Sequence, residues 1–205
     1  MATTRGEGGN SGITEWALPV GVGAAFGLLL VGVAWAVRPR PSIMYQPGPV
    51  VPGGSVMSRY GLRTKRGVTR PHWGVDLRAP VGTDVRAAGA GAVMAVWPDG
   101  AVQGYGATVV IKHRDGEGTL YAHMDSIDPA MRVGAAVSAG QRVGAVGCTD
   151  SEGGFDCATS HLHFEVLAPR EGDDRAFSSV RGGEDPYPQR MDPEAWARYV
   201  GLRLV

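Results

Sequence analysis

The sequence contains little histidine, little cysteine and no net charge. Its 205 residues include five histidines and two cysteines, and 20 basic side chains balance 20 acidic ones. A chain without net charge has no electrostatic reason to bind nucleic acid, so no nucleic-acid partner is expected. Glycine, in contrast, occurs 32 times and proline 14 times. This turn-rich composition, with 43% hydrophobic residues, favours a single β-rich domain over a helical bundle.

The two cysteines lie close together in the chain. Cys148 and Cys157 enclose a short segment that contains Gly153 and Gly154. A disulfide between them would close a small loop and would favour an oxidising compartment. Two reduced thiols in a glycine-rich loop are the alternative. Zinc binding by these cysteines is not expected, because the chain has neither a C-x-x-C pattern nor a second cysteine pair.

One long hydrophobic run, residues 16–37, contains no charged side chain. A helix of this length spans roughly 33 Å, which is enough to cross the hydrocarbon core of a bilayer. The run therefore predicts a transmembrane helix in contact with lipid, preceded by a tail at residues 1–15. A cleaved signal peptide is the alternative, because residues 34–36 (AWA) resemble a small-residue cleavage site. The run is longer than a typical signal-peptide core, which favours an uncleaved anchor.

The orientation of this anchor rests on two opposing signals. Arg38 and Arg40 follow the run and only Arg5 precedes it, which weakly favours a cytoplasmic domain. A disulfide would favour the opposite side, and large domains translocate regardless of a small charge bias. A single-pass protein of the bacterial membrane with an extracytoplasmic domain is expected. Residues 38–57, rich in proline and glycine, predict a tether that reaches roughly 55 Å, and the folded domain is expected at 58–205.

Short β-branched segments separated by turns predict an antiparallel β domain. Strands are predicted at residues 84–97, 108–111, 119–123 and 162–166, and a further hairpin at 133–147.

A single short helix is predicted near the C-terminus. Asp192 is a suitable N-cap, Pro193 suits the first helical position and Glu194 complements the helix dipole. Trp196, Tyr199 and Val200 are expected to form the apolar face of this helix.

Two clusters of side chains suggest a metal site. His161 and His163 are separated by one residue, and in a strand both project to the same face, which suits a ligand and a catalytic base. His72 and Asp76 are four apart, so a straight strand would separate their Cα atoms by roughly 13 Å. Gly74 permits the chain to bend between them. Two imidazoles and one carboxylate suit zinc and leave a fourth position for water.

His113 lacks such a pattern. It lies in a charged, turn-like segment, residues 112–116 (KHRDG), away from both clusters. A single histidine in this setting is expected to be structural or exposed. Composition and spacing alone therefore predict a metal site, but not the reaction.

Residues 58–168 resemble the catalytic domain of the lysostaphin/LytM-type zinc metallopeptidases, which cut peptide bonds in bacterial peptidoglycan. The segments that carry the resemblance are 58–63 (SRYGLR), 72–83 (HWGVDLRAPVGT), 104–106 (GYG), 119–124 (TLYAHM), 137–141 (VSAGQ) and 161–165 (HLHFE). They occur in the family's order and cover about half of the chain.

The resemblance implies an all-β catalytic domain whose antiparallel sheets form a groove around one zinc ion. It implies His72, Asp76 and His163 as zinc ligands, and His123 and His161 as the catalytic pair beside them. Which member of the pair is the general base stays open. All five positions are filled, unlike in degenerate members of the family, which lack ligands and act as activators or scaffolds.

The chain departs from the family between Gly147 and His161. The family has a short turn there, whereas this chain has a longer loop, residues 148–160, which carries both cysteines. The loop leads into the catalytic strand, so we expect it to form part of the groove wall and to affect substrate access. A stapled surface loop without such an effect is the alternative.

The implied function is that of a membrane-anchored zinc metalloendopeptidase that hydrolyses peptidoglycan cross-links with a zinc-activated water. A non-enzymatic wall-binding or regulatory module is the alternative, and a virion-associated lytic enzyme of a bacterial virus is an alternative setting. A swinging-arm carrier domain is disfavoured, because residues 133–147 contain no lysine to modify. Cleavage between D-alanine and a diamino acid and cleavage within a glycine bridge both stay open.

Overall fold

The computed structural model describes residue 45 and residues 48–65, 67–98, 104–149, 157–168 and 190–205. Their strands are β1 (Ser55–Ser58), β2 (Gly61–Lys65), β3 (Val68–His72), β4 (Val75–Arg78), β5 (Asp84–Arg86), β6 (Gly91–Trp97), β7 (Ala107–His113), β8 (Gly118–Ile127), β9 (Ala136–Val137), β10 (Arg142–Val146), β11 (His161–Leu167) and β12 (Arg190–Met191). One helix, α1 (Pro193–Val200), and a 3-10 turn at Cys157–Thr159 complete the described elements.

Ten of the described strands form one antiparallel sheet, and β2 and β3 form a separate two-stranded ribbon. The main path of the sheet runs β1-β4-β11-β8-β7-β6-β9, while β10 pairs with β5 and β8, and β12 pairs with β11. The predicted all-β architecture with a short C-terminal helix is confirmed for these residues. In the part of the chain that the structure describes, no helix is long and apolar enough to cross a membrane. The predicted span at 16–37 and the tail at 1–15 lie outside that part.

Strand β11 divides the core from the site. All seven of its residues are buried, because β4 and β8 pair with it on either side and both faces are covered. Leu162, Phe164 and Val166 point into the main hydrophobic core. His161 and His163 alternate with them and therefore face the opposite side. Because side chains alternate along β11, its apolar residues pack in the core while its two histidines face the candidate site.

Helix α1 closes the core at one end. The Asp192 carboxylate accepts hydrogen bonds from the first-turn N–H groups, Pro193 begins the helix, and Gly201 ends it in the left-handed conformation. Trp196 is buried, and its ring packs 5.0 Å from that of Tyr45 between ring centroids. Of the three residues predicted to form the apolar face of the helix, Trp196 and Val200 are buried, whereas Tyr199 is exposed.

Two sequence predictions about strand pairing need correction. Residues 84–97 form two strands, because the chain bends at 87–90 before β6 pairs with β7. Residues 133–147 do not form a hairpin with themselves. Strand β9 pairs with β6, whereas β10 pairs with β5 and β8. Strand propensity identifies extended segments but does not identify their partners.

Part of the expected tether belongs to the folded domain. Tyr45, Val50 and Val51 are buried in the core, although the sequence pattern assigns them to a proline-rich linker. Val50 and Val51 also donate backbone hydrogen bonds to the C-terminal residues Arg203 and Leu204. The segment before β1 therefore seals the same edge of the core as the C-terminus.

Candidate metal centre

Three predicted ligands converge on one point. His72 Nε2 lies 3.0 Å from Asp76 Oδ1, and His163 Nδ1 lies 2.8 Å from the same oxygen. The two imidazole nitrogens are 3.2 Å apart. All three residues are buried, and their ligand atoms form a group that could hold a metal ion.

Strand register brings His163 and Asp76 together. The two residues are directly opposite each other on β11 and β4, the position in which cross-strand side chains are nearest neighbours. His72 reaches the same point because β3 ends there and β4 begins only at Val75. The expected bend between His72 and Asp76 is therefore present.

The glycine in this bend is required for close packing. A Cβ atom at Gly74 would lie 2.5 Å from the carbonyl oxygen of Phe164 and 2.8 Å from the ring of His163. Gly74 does not have a positive φ. The absence of a side chain, rather than an unusual backbone angle, lets the bend approach β11.

The hydrogen bonds of the two ligand histidines point unprotonated nitrogens at each other. His72 Nδ1 donates to the carbonyl oxygen of Arg59 at 2.7 Å, so its Nε2 carries the lone pair. His163 Nε2 donates to Glu165 Oε1 at 2.9 Å, so in the neutral ring Nδ1 carries the lone pair. Two lone pairs and a carboxylate oxygen then face one another, an arrangement that a cation or a proton between them stabilises.

The spacing of these atoms fits zinc. Tetrahedral zinc with ligand distances of about 2.0–2.1 Å holds neighbouring ligand atoms roughly 3.3 Å apart. The separations here, 2.8, 3.0 and 3.2 Å, lie close to that value. The donor set, two imidazoles and one carboxylate, is also one that zinc accepts in catalytic sites.

The pKa values of Asp76 and His163 show that this centre favours a positive charge. Burial opposes ionisation of Asp76, but hydrogen bonds with His163 and His72 outweigh it and hold the Asp76 pKa far below its usual range. Burial likewise opposes a charge on His163, yet hydrogen bonds to Asp76 and Glu165 raise the pKa of His163 to about 9. A bound cation would satisfy the same electrostatic demand.

The predicted catalytic pair lies beside this centre. The ring centroids of His123 and His161 are 4.9 Å apart, and His161 Nε2 is 3.7 Å from Asp76 Oδ1. The Nδ1 atoms donate to backbone carbonyls, His123 to Thr149 at 2.7 Å and His161 to Thr159 at 2.8 Å. Each neutral ring therefore carries its proton on Nδ1 and presents Nε2 as a proton acceptor.

Both members of the pair are held in the neutral form. Burial lowers the pKa of His123 to about 3, and the nearby rings of His163 and His161 further disfavour a positive charge on it. Burial also lowers the pKa of His161, although Asp76 partly opposes the shift. Both imidazoles are therefore unprotonated at neutral pH, which is the form that a proton acceptor requires.

His123 has an unusual backbone conformation. Its φ is +60°, the one positive value among described residues other than glycine. Its N–H donates to the carbonyl oxygen of Tyr105 at 2.8 Å, which ties the strained position to the neighbouring loop. Left-handed conformations at non-glycine residues concentrate at functional sites, where surrounding contacts maintain them.

The predicted disulfide joins the two segments that hold this pair. Cys148 is bonded to Cys157, with their Cα atoms 5.2 Å apart. Thr149 directly follows Cys148, and Thr159 lies two residues after Cys157. The two backbone carbonyls that orient His123 and His161 therefore flank one covalent cross-link.

Glu165 and Arg190 belong to the site but are not predicted from the sequence as functional residues. Glu165 is fully buried; its Oε1 accepts from Tyr105 Oη at 2.8 Å and its Oε2 accepts from Arg190 Nε at 2.5 Å. Burial favours protonation of Glu165, but His163 and Arg190 outweigh it and lower its pKa to about 2. The period of β11, which puts Glu165 on the face of His163, was an available signal. Nothing in the local sequence around Arg190 indicates its role.

A groove runs across the centre, with a volume of about 850 Å³. Besides the ligands and the catalytic pair, ribbon residues and aromatic side chains line it. These include Arg63, Lys65, Pro71, Trp73 and Tyr105.

His113 lies outside this groove, as expected. It is buried, and its ring contacts the carbonyl oxygen of Ala90 at 3.0 Å and Thr119 Oγ1 at 2.9 Å. Of the two expected outcomes for His113, structural or exposed, its buried and hydrogen-bonded position fits the structural one.

The sequence is similar to a protein-family model and to several curated proteins. The sequence model of peptidase family M23 matches residues 70–175, just over half of the chain. The uncharacterized lipoprotein YgeR of Escherichia coli is 39% identical over 93 residues, which cover 45% of this chain and 33% of that protein. The DD-carboxypeptidase/endopeptidase Mpg of Neisseria meningitidis is 38% identical over 97 residues, which cover 47% and 20%. The murein hydrolase activator NlpD of Salmonella dublin is 32% identical over 93 residues, which cover 45% and 22%.

The similarity spans about a third or less of each of these relatives. Among solved structures, the catalytic domain of lysostaphin from Staphylococcus simulans has the same fold, with a TM-score of 0.53 and 22% identity over 71% of this chain and 92% of that one. A zinc-containing peptidase from Vibrio cholerae has a TM-score of 0.50 and 27% identity over 70% of this chain and 41% of that one. The resemblance to lysostaphin-type peptidases is confirmed, and the chain belongs to peptidase family M23.

Proposed function

We propose that this protein is a zinc metalloendopeptidase that hydrolyses peptide cross-links of bacterial peptidoglycan. The observation that carries the proposal is the convergence of His72, Asp76 and His163 beside a pair of neutral histidines. Membership in peptidase family M23 supports the reaction class. The similarity to the DD-carboxypeptidase/endopeptidase Mpg supports a peptide substrate of the cell wall.

In this proposal His72 Nε2, Asp76 Oδ1 and His163 Nδ1 hold the zinc ion. Bound zinc supplies a Lewis acid that lowers the pKa of water and polarises a carbonyl group. Glu165 fixes the ring of His163 through its bond to Nε2, and Arg190 holds Glu165 in turn. Arg63 donates to Asp76 Oδ2 at 3.0 Å, which leaves Oδ1 directed at the centre.

His123 and His161 move the proton. Since Nδ1 of each ring donates to a backbone carbonyl, Nε2 is the atom that accepts a proton from the attacking water. The ring that accepts it becomes an N–H donor. That donor stabilises the negative charge on the tetrahedral oxygen and then protonates the leaving amine. The two rings are 4.9 Å apart between centroids, so either can reach the same reacting group, and which of them accepts the proton stays open.

The similarity to the murein hydrolase activator NlpD supports a second function, that of a non-enzymatic activator module in the cell wall. The two functions differ in what the purified chain does alone. A peptidase releases peptide fragments without a partner, whereas an activator releases them only when a wall hydrolase is added.

We further propose that residues 16–37 anchor the domain in the bacterial membrane, with the domain on the extracytoplasmic side. The uninterrupted apolar run supports the anchor, and the Cys148–Cys157 disulfide supports an oxidising compartment. Protease treatment of spheroplasts tests the topology. Digestion of the domain from outside is expected, and protection until lysis contradicts this orientation.

Digestion of purified peptidoglycan tests the peptidase function. The full chain is incubated with walls of different cross-link chemistry, with and without a chelator, and the released fragments are analysed by mass spectrometry. Fragments cut at a peptide bond, lost with chelator and restored by zinc, support the proposal. Release only after addition of a separate hydrolase supports the activator function.

A further inference from the structure

One wall of the groove is a ribbon with positive charge only. Strands β2 and β3 form this ribbon, which is a sheet separate from the main one and has nearly all of its residues exposed. The chain as a whole has no net charge, yet no acidic residue occurs between positions 58 and 76. The basic residues of this stretch are Arg59, Arg63, Lys65, Arg66 and Arg70.

The strand register puts three of these side chains on one face. Arg63 is paired with Arg70, and Lys65 lies two residues beyond Arg63 on the same strand. His72 is two residues from Arg70, and residues two apart share a face. At about 3.4 Å per residue, the Arg63–Arg70 pair lies roughly 7 Å from His72 and Lys65 roughly 13 Å from it. Arg63 and Lys65 line the groove, and Arg70 lies opposite Arg63 on the same face of the ribbon, so positive charge extends outward from the metal centre along this wall.

The charge on this face is only partly compensated. Arginines directly opposite each other on paired strands are destabilising, so their presence requires another explanation. Arg63 pairs with Asp76, but among the described residues no acidic side chain pairs with Lys65 or Arg70, and both are exposed. The acidic residues that line the groove, Asp76 and Glu165, are buried and already bonded. The charge that the groove offers to a ligand is therefore positive.

We propose that Lys65 and Arg70 bind a free carboxylate of the peptide substrate. An extended peptide advances about 3.4 Å per residue, so the carboxylate lies about two to four residues from the bond that is cut. The inference rests on the proposed peptidase function and narrows its substrate class. Stem peptides with free carboxylates fit this wall, whereas the interior of a glycine bridge offers it no charge.

Matched peptides test the proposal. The first substrate is a cross-linked stem-peptide dimer with free carboxylates, and the second is the same dimer with those groups converted to carboxamides. Hydrolysis of both is measured with the zinc-loaded full chain. Binding of the corresponding uncross-linked stem peptides is measured by titration calorimetry, which does not depend on turnover.

The test variant is Lys65→Gln/Arg70→Gln. The control is Arg198→Gln, since Arg198 is exposed on α1 and is not part of the ribbon.

The unsubstituted protein is expected to bind the carboxylate peptide about 5- to 10-fold more tightly than the carboxamide at low salt. This ratio falls close to one in the double variant and is retained in the control. Equal affinity for the two peptides, or an unchanged ratio in the double variant, overturns the proposal. Preferential binding without hydrolysis of either dimer contradicts the peptidase function and supports carboxylate recognition alone.

Discussion

Nδ1 of His123 donates a 2.7 Å hydrogen bond to the backbone carbonyl of Thr149, one residue after a disulfide-bonded cysteine. His161 makes the equivalent bond to Thr159, on the other side of the same disulfide. The tautomer and orientation of both proposed proton carriers thus depend on one short cross-linked loop. Its integrity should affect catalysis more than metal binding, because His72, Asp76 and His163 are held by other contacts.

Removal of the disulfide by Cys148→Ser/Cys157→Ser is expected to lower kcat about 10-fold and leave zinc content unchanged, because misplaced catalytic groups lose rate. The loss of the short loop closure should also cost about 2 to 3 kcal/mol of unfolding free energy. Steady-state kinetics, zinc analysis and urea denaturation measure the three quantities. Wild-type kcat in the double variant would show that the loop holds the pair without the cross-link.

Arg190→Met is expected to lower the zinc affinity of the metal centre, although Arg190 is not itself a metal ligand. The substitution leaves Glu165 buried without the cation that pairs with its Oε2, and breaking a buried pair typically costs about 3 to 5 kcal/mol. Because Glu165 orients His163, zinc affinity should fall about 10- to 100-fold.

A double-mutant cycle separates this effect from a general loss of stability. With Glu165→Gln, the buried carboxylate is gone, so adding Arg190→Met should cost less than it does alone. Zinc affinity and urea denaturation are measured for the single and double variants. Strictly additive losses would contradict a direct coupling between Arg190 and Glu165.

Gly74→Ala is expected to destabilise the fold and reduce zinc binding together. The new methyl group would overlap the Phe164 carbonyl and the His163 ring, and overpacking of this kind typically costs about 1 to 3 kcal/mol. Gly134→Ala is the control, since its Cβ would meet open space although its φ is +85°. The control should lose about 1 kcal/mol and keep zinc. Equal zinc affinity in Gly74→Ala and Gly134→Ala would refute the packing role of Gly74.

Stability should fall in acid partly through His113. Burial lowers the pKa of His113, so the unfolded chain binds this proton more readily than the folded protein. The stabilising effect of neutral His113 is therefore complete above the unfolded pKa of about 6.5 and is lost as pH falls below it, by at most about 1.4 kcal/mol per pH unit. Urea denaturation of wild type and His113→Asn at pH 7.5 and 5.5 isolates this term, since the other histidines contribute to both. The same pH dependence in the two proteins would disprove it.

The sequence predicts which side chains converge at the candidate site better than it predicts strand pairing. His72, Asp76 and His163 lie in short motifs that can be identified in a single sequence. Their convergence nevertheless depends on the register of β4 against β11, which local periodicity does not specify.

Residues far from the motifs were beyond prediction for the same reason. Arg190 reaches Glu165 only because β12 pairs with β11, and a two-residue strand has no recognisable pattern. Val50 and Val51 are buried although proline and glycine surround them, because the C-terminal residues cover them. Both cases depend on tertiary contacts between distant parts of the chain.

We infer that hydrolysis requires a zinc ion held by His163 and the catalytic pair to which His123 belongs. The most direct measurement compares zinc content and cross-link hydrolysis in purified wild type, His163→Ala and His123→Ala. We predict that His163→Ala loses both zinc and hydrolysis, whereas His123→Ala keeps about one zinc per chain and loses turnover about 100-fold or more. Normal hydrolysis by metal-free His163→Ala protein would contradict the account.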